Sequence, residues 1–172
     1  MFFRDRKGLW IFPFCLSVLA SLTLFWFSLT GDILLPSLLI RRVFFVPAFL
    51  AYKYYEFFSG NQFVYWSSSI LNPFISYPYD VSTAKVIGLY LGSGGNANNN
   101  FFATGFMHAG YAGLFIYCIL VGLILKLIDS LSANKLPTVF SVAVTLVPIF
   151  ALVTSADLPT ALSTHGLGLA LI

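Results

Sequence analysis

The sequence predicts an all-helical protein that crosses a lipid bilayer several times. Hydrophobic residues make up 59% of its 172 residues and charged residues only 9%. A soluble domain has about 25% charged residues, so this chain has too few polar groups to cover a surface in water. Its mean hydropathy is +0.89, and several of its apolar runs are long enough to span a bilayer. The net charge of +3 comes with no basic stripe, so we expect no nucleic-acid partner.

The first apolar run, residues 9–30, begins just after three basic residues, Arg4, Arg6 and Lys7. Its length of about 22 residues matches the hydrocarbon core of a bilayer, which is roughly 30 Å thick. The apolar part of a secretory signal peptide is shorter, about 7–15 residues, and ends in a small-residue cleavage site. We therefore predict a retained membrane helix whose N-terminus lies in the cytoplasm.

Three later segments are also apolar. Residues 101–125 and 136–155 each predict a membrane span, and residues 158–172 predict the start of another. Lys126 and Lys135 flank the connection between the two complete spans, so the positive-inside rule places that connection in the cytoplasm. Residues 31–100, between the first span and residues 101–125, must then start and finish on the outer face.

Residues 33–58 are apolar but contain Arg41 and Arg42. Each arginine at the bilayer centre costs about 2.5–3.5 kcal/mol on the translocon scale. We therefore predict a re-entrant or interfacial segment rather than a crossing. Residues 59–100 are polar and rich in Gly, Pro, Ser and Asn, and they predict one long external loop.

The adjacent arginines are the first candidates for a binding site. A guanidinium group matches phosphate oxygens in a bidentate fork, so Arg41 and Arg42 could hold a lipid pyrophosphate. The alternative is that they only anchor the segment to lipid head groups. No Cys or His cluster has metal-ligand spacing, since Cys15 and Cys118 both lie in apolar runs, and we predict no metal.

Three titratable residues are candidates for acid–base chemistry. Asp80 and Glu56 could each accept a proton from a sugar hydroxyl, although Asp80 also suits a turn and Glu56 a salt bridge to Lys53 or to an arginine. His108 could shuttle protons, and the alternative is a histidine that is hydrogen-bonded across a helix interface. It lies between small residues that permit close helix contact. His165 is equally a loop or interface histidine.

The order of these features resembles that of the bacterial oligosaccharide repeat unit polymerases, the O-antigen and capsule polymerase family. The resemblance covers nearly the whole chain from about residue 10. The features that carry it are, in order, Arg41-Arg42, residues 54–61 (YYEFFSGN), the polar external loop, residues 100–106 (NFFATGF), residues 110–114 (GYAGL), Leu127-Ile128-Asp129 and residues 158–166 (LPTALSTHG).

This resemblance implies a multi-pass enzyme of the bacterial inner (plasma) membrane that joins undecaprenyl-pyrophosphate-linked oligosaccharide units on its outer face. It implies that Arg41 and Arg42 bind the pyrophosphate, that Asn100 contacts the substrate, and that no cofactor is needed. Asp80, Glu56 and His108 are the catalytic candidates. The expected partners are the lipid-linked oligosaccharide and membrane lipids, with a chain-length regulator or a flippase as a candidate protein partner.

Other functions stay open on the sequence. An O-antigen ligase has a similar external loop with arginine and histidine. A transporter or flippase component is expected to have broken helices and ionisable residues near the bilayer midplane, whereas most ionisable residues here lie near the predicted span edges. A small non-catalytic accessory membrane protein is a further alternative. Polymerases have many more spans, so we expect the sequence to be the C-terminal portion of a longer or split protein, inactive by itself.

Overall fold

The structure, a computed structural model, describes residues 11–69, 71–132 and 138–171. Within these ranges the regular structure is helical and contains no strand, which confirms the all-helical prediction for this part of the chain. The helices are α1 (Ile11–Thr30), α2 (Leu34–Pro36), α3 (Val46–Gly60), α4 (Thr83–Tyr90), α5 (Phe101–Ser132), α6 (Thr138–Thr154) and α7 (Leu158–Ser163). A π-helical segment, Ser37–Phe45, joins α2 to α3, and a 3-10 turn covers Leu169–Leu171.

Three helical stretches are long and apolar enough to cross a membrane: Pro13–Thr30, Leu34–Gly60 and Phe101–Leu131. Their length and composition suggest a membrane protein. The number of crossings and the side of the membrane that each loop faces stay predictions. The basic residues at positions 4, 6, 7 and 135, on which the predicted orientation depends, lie outside the described residues.

The chain divides into two compact units between Val46 and Pro47. In the first unit α1 packs against α2. Gly31 lies in the turn between them and has a φ of +70°, which glycine adopts without strain. In the same turn the Asp32 Oδ1 accepts the Leu34 N–H at 2.9 Å. Most α1 side chains are apolar and exposed, and such a surface suits contact with lipid tails or with another apolar partner.

Helical backbone is continuous from Leu34 to Gly60. It includes the π-helical Ser37–Phe45, which contains Arg41 and Arg42. Irregular π-helical turns often mark functional positions in helices. The sequence predicts a re-entrant or interfacial segment over residues 33–58. A helix of this length suits a crossing as well, so the interfacial placement stays a prediction.

The α5 segment is two helices rather than one. Ala109 (φ −153°, ψ 35°) and Gly110 (φ 60°, ψ −141°) leave the helical region and divide α5 into α5a, residues 101–108, and α5b, residues 111–132. The two halves fold back on each other. Gly113 and Gly105 lie so close together that a Cβ on Gly113 would be 2.2 Å from the Gly105 carbonyl oxygen. The small residues around His108 therefore permit a close helix contact, and this contact joins α5a and α5b, the two halves of one segment. The predicted span of residues 101–125 differs from the structure in its first ten residues.

The α5b and α6 helices run antiparallel. Tyr117 and Leu152 share one apolar cluster, while Ile128 and Phe140 line a small cavity nearer the connection between the two helices. The described part of the predicted span 136–155 is the helix Thr138–Thr154. Residues 158–171 contain the six-residue α7, a turn and the 3-10 turn Leu169–Leu171, and the start of a span over residues 158–172 stays a prediction.

The polar segment 59–100 has more structure than a plain loop. It contains α4, and aromatic side chains hold it to α3. The Tyr54 hydroxyl donates to the Ala97 carbonyl at 2.8 Å, and the Tyr79 hydroxyl to the Gln62 carbonyl at 2.5 Å. The first contact holds the end of the segment against α3, and the second joins its middle to its beginning.

Candidate functional site

A buried histidine–aspartate pair lies where α5 breaks. His108 ends α5a and is fully buried, and its Nε2 lies 3.3 Å from Asp157 Oδ2. Its other ring nitrogen, Nδ1, accepts the Trp66 backbone N–H at 3.1 Å. A nitrogen that accepts a hydrogen bond carries no proton, so the neutral ring has its proton on Nε2 and donates it to Asp157. Both nitrogens of His108 are thus engaged.

The loop before α4 supplies the hydrogen bonds that the helix break leaves unmade. At the break, the carbonyls of Met107 and His108 lose their helical donors, and they accept instead from the N–H groups of Val64 and Tyr65 at 3.0 Å each. Buried carbonyls need such partners. Tyr65 and Trp66 adopt φ values of 49° and 57°, an uncommon conformation for aromatic residues. Strained backbone of this kind clusters at functional sites.

Two aromatic side chains enclose the histidine. The Trp66 ring stacks on His108 with centroids 4.8 Å apart and planes 16° from parallel. Its Nε1–H donates to the Tyr117 hydroxyl at 3.0 Å, and Tyr117 is itself buried. The imidazole therefore has one fixed orientation, with Nε2 directed at Asp157.

Asp157 precedes α7 and caps it, because its Oδ1 accepts the Leu158 N–H at 2.8 Å. Burial disfavours the ionised carboxylate. The hydrogen bond from His108 and the positive potential around it, followed by the hydroxyls of Tyr117 and Thr104, outweigh burial and hold the pKa of Asp157 below its ordinary value. Asp157 is therefore ionised at neutral pH, with its side chain 20% exposed.

That exposed part of Asp157 faces a polar cavity of about 250 Å³. The cavity lies where α6 ends, away from the connection between α5 and α6. Hydroxyl, amide and titratable side chains dominate its lining: Tyr54, Ser68, Ser69, Thr83, Asn98, Asn99, Thr104, Ser155, Asp157, Thr160 and His165. In so apolar a chain this concentration of polar groups indicates a ligand that forms many hydrogen bonds.

One polar group in the cavity wall lacks a protein partner. Asn99 is 2% exposed, and its Oδ1 accepts the Asn100 N–H at 2.8 Å. Its Nδ2 has no hydrogen-bond partner among the described residues. A buried donor without an acceptor is costly, and a ligand oxygen in the cavity would satisfy it.

The structure brings only some of the predicted site residues to this cavity. His108 is the buried, hydrogen-bonded histidine that the sequence offers as an alternative, and His165 lines the cavity. Asn100 caps α5 through its Oδ1, which accepts the Ala103 N–H at 3.1 Å, and it is not among the lining residues. Asp80 is exposed on the loop and does not line the cavity either. No finding tests the catalytic and substrate-binding assignments of these residues, which stay predictions.

Glu56 has the ion pair that the sequence offers as its alternative. Its carboxylate lies 2.6 Å from Lys53 Nζ on the same helix. This pair is partly exposed and stands outside the polar cavity.

Arg41 and Arg42 belong to the first unit, and both are exposed. Arg41 lines an apolar groove of about 400 Å³, whose other walls come from α1 and the α2 region. Six of its eight lining residues are apolar: Leu24, Phe27, Ile33, Pro36, Ile40 and Phe45. A groove with apolar walls and a guanidinium in its lining suits a phosphorylated lipid.

Sequence reasoning missed Asp157, the central carboxylate of the site. Its signal was available, since an acidic residue between two apolar segments and before Leu158-Pro159 is unusual in a membrane protein. An aspartate two residues before a proline also marks a helix start. The contact with His108, which is 49 positions away, depends on tertiary folding and has no local signal.

Comparison with models of protein families, with curated proteins and with solved structures finds no match for this chain.

Proposed function

We propose that this protein takes part in the polymerisation of undecaprenyl-pyrophosphate-linked oligosaccharide repeat units into O-antigen, capsule or exopolysaccharide. The reaction is a glycosyl transfer. The growing glycan leaves its lipid pyrophosphate and joins a hydroxyl of the incoming lipid-linked unit. The proposal places this reaction at the periplasmic or outer face of the membrane.

The polar cavity is the observation that carries this proposal. Its hydroxyls, amides and single carboxylate offer both donors and acceptors, as a sugar ring requires. It lies at the end of α5b and α6, where a water-soluble glycan would meet a membrane-embedded helix pair. A lipid or a purely apolar ligand would leave these polar groups unpaired.

The arginine groove of the first unit is a separate observation in favour of a lipid-linked substrate. Arg41 lines an apolar groove that suits an isoprenoid chain, and a bidentate guanidinium suits its pyrophosphate. During the transfer, negative charge grows on the leaving pyrophosphate, and a guanidinium bound to it lowers the barrier.

Deleting the gene in its own host tests the function. Envelope glycans separated by size should lose their ladder and retain single repeat units, and the gene returned on a plasmid should restore the ladder. A deletion strain with an unchanged ladder would contradict the proposal. A deletion strain with free lipid-linked polymer but none on lipid A core would favour the O-antigen ligase instead.

The helix break gives a transporter or flippase component some support, because transporters bind substrates at broken helices. The position of the break weighs against it. The α5b helix alone has about 22 residues, roughly 33 Å, and this spans the hydrocarbon core. The break thus falls near one end of a span rather than near the midplane. Loss of repeat-unit transfer across the membrane in the deletion strain would favour the transporter.

A further inference from the structure

We propose that Asp157, held in place by His108, accepts the proton of the attacking sugar hydroxyl, and that the Asn99 amide orients that sugar in the same cavity. This inference rests on the proposed function, because it assigns chemistry to the acceptor of the glycosyl transfer.

Asp157 has free acceptor capacity in the right place. Its oxygens accept one hydrogen bond each from His108 and from the Leu158 N–H. The Tyr117 hydroxyl is a further donor beside the carboxylate, whereas the Thr104 hydroxyl donates to the Asn100 carbonyl. The two oxygens together have about four lone-pair sites, so at least one site remains open. It is the one carboxylate among the residues that line the cavity.

His108 is a positioning residue and not the base. Its Nε2 donates to Asp157 and its Nδ1 accepts from the Trp66 N–H. The neutral ring therefore has no free lone pair for a substrate proton. The stacked Trp66 also covers one face of the imidazole. Its effect on the reaction is to fix the Asp157 carboxylate in one rotamer.

Asn99 supplies the second contact. Its Nδ2 is a buried donor that has no acceptor among the described residues. Its Oδ1 is already engaged by the Asn100 N–H, which fixes the amide so that only its donor end is available. A ring or hydroxyl oxygen of the acceptor sugar would complete its hydrogen bonding.

The transfer balances with these groups. The acceptor hydroxyl oxygen forms a bond to the anomeric carbon of the donor glycan. The bond from that carbon to the pyrophosphate oxygen breaks, and undecaprenyl pyrophosphate leaves with the electron pair. The hydroxyl proton moves to the Asp157 carboxylate and then to water.

Steady-state kinetics test both assignments. Membranes from the gene-deleted host that express the full chain or a variant would be supplied with purified lipid-linked repeat unit, and dimer formation would be followed against substrate concentration and pH. Asp157→Asn should lower kcat by roughly 10²–10⁴-fold, as expected for loss of a general base, and leave KM within about twofold. It should also abolish the fall in rate at acid pH. Asp129→Asn, an exposed carboxylate on α5b, is the matched control.

Asn99→Ala removes the amide donor without adding a charge to the cavity. Loss of one hydrogen bond, about 0.5–1.5 kcal/mol, should raise KM by about 2–12-fold. Asn96→Ala, at an exposed neighbouring position outside the cavity lining, should leave KM unchanged. An unchanged KM in Asn99→Ala would overturn the assignment of the amide.

The outcomes separate the inference from the function. An active parent chain whose Asp157→Asn variant keeps the parental kcat and pH profile would overturn the assignment of Asp157 only. A complete gene product without activity would overturn the proposed function as well. If Asp157→Asn does not accumulate, Asp157→Glu provides the test. A carboxylate in a different position must shift the acid side of the pH–rate profile. An acid limb that stays in place would overturn the inference.

Discussion

At the scale of single residues, the site depends on pairs that are distant in sequence. Periodicity and composition single out His108 as unusual, but they cannot show that both its nitrogens are engaged. That fact follows from Trp66 and Asp157, which lie 42 positions before it and 49 after it. Asp157 itself has a local signal, a charge next to apolar sequence, and its importance becomes clear only once the fold places it beside His108.

The arginine pair gives a prediction at this scale. Arg41→Ala and Arg42→Ala should each slow glycan polymerisation by roughly 10²–10³-fold, about 2–4 kcal/mol of transition-state stabilisation, by analogy with loss of an oxyanion donor. Arg→Lys should not restore the rate, because an ammonium lacks the bidentate fork. Glycan ladders in the complemented deletion strain measure this, with Lys126→Ala as the control. Normal ladders from both alanine variants would reduce the pair to lipid anchors.

The pH dependence of stability tests the environment of Asp157. Its pKa is lower in the folded protein than its unfolded value of about 3.9. The carboxylate therefore stabilises the fold fully above the unfolded pKa, and this contribution is lost as pH falls through the folded pKa. The Tm difference between the parent and Asp157→Asn in detergent should shrink as pH falls below about 4. A difference that does not shrink on acidification would contradict the contribution of the ionised carboxylate.

At the scale of elements, the apolar runs predict where helices form but not how they break. The runs over residues 9–30 and 136–155 match α1 and α6 closely in their described parts. The run over 101–125 hides a reversal. Gly110 is a weak helix former, but Gly105, Gly113 and Gly122 lie in the same segment and remain helical, so the glycine alone does not mark the break. Tertiary contacts select the break, through the loop that pairs with its free carbonyls.

Two glycines of α5b test that reversal. Gly113→Ala places a Cβ 2.2 Å from the Gly105 carbonyl oxygen, whereas Gly122 has nothing within 4 Å of the same addition. Overpacking of this kind costs about 1–3 kcal/mol, so Gly113→Ala should lower the Tm of the purified protein. Gly122→Ala, with the better helix former in open space, should leave the Tm unchanged or raise it. Equal effects of the two variants would contradict the fold-back of α5a on α5b.

At the scale of the whole molecule, the composition predicts the all-helical class directly, because a chain so poor in charge must place its helices in an apolar solvent. The predicted topology depends on few charges. If Leu34–Gly60 lies at the outer interface, the polar cavity opens outside. If that helix crosses the membrane, the segment before α5 lies in the cytoplasm, and the polar cavity opens to the cytoplasm.

Cysteine labelling of intact spheroplasts distinguishes these two arrangements and tests the external glycan site most directly. In a background with Cys15 and Cys118 replaced by serine, Ser68→Cys and Asn98→Cys place thiols in the lining of the cavity, and Ser132→Cys places one at the far end of α5. We predict that a membrane-impermeant maleimide labels the first two in intact spheroplasts and the third only after permeabilisation. Labelling of Ser132→Cys alone in intact spheroplasts would put the cavity in the cytoplasm and contradict the account.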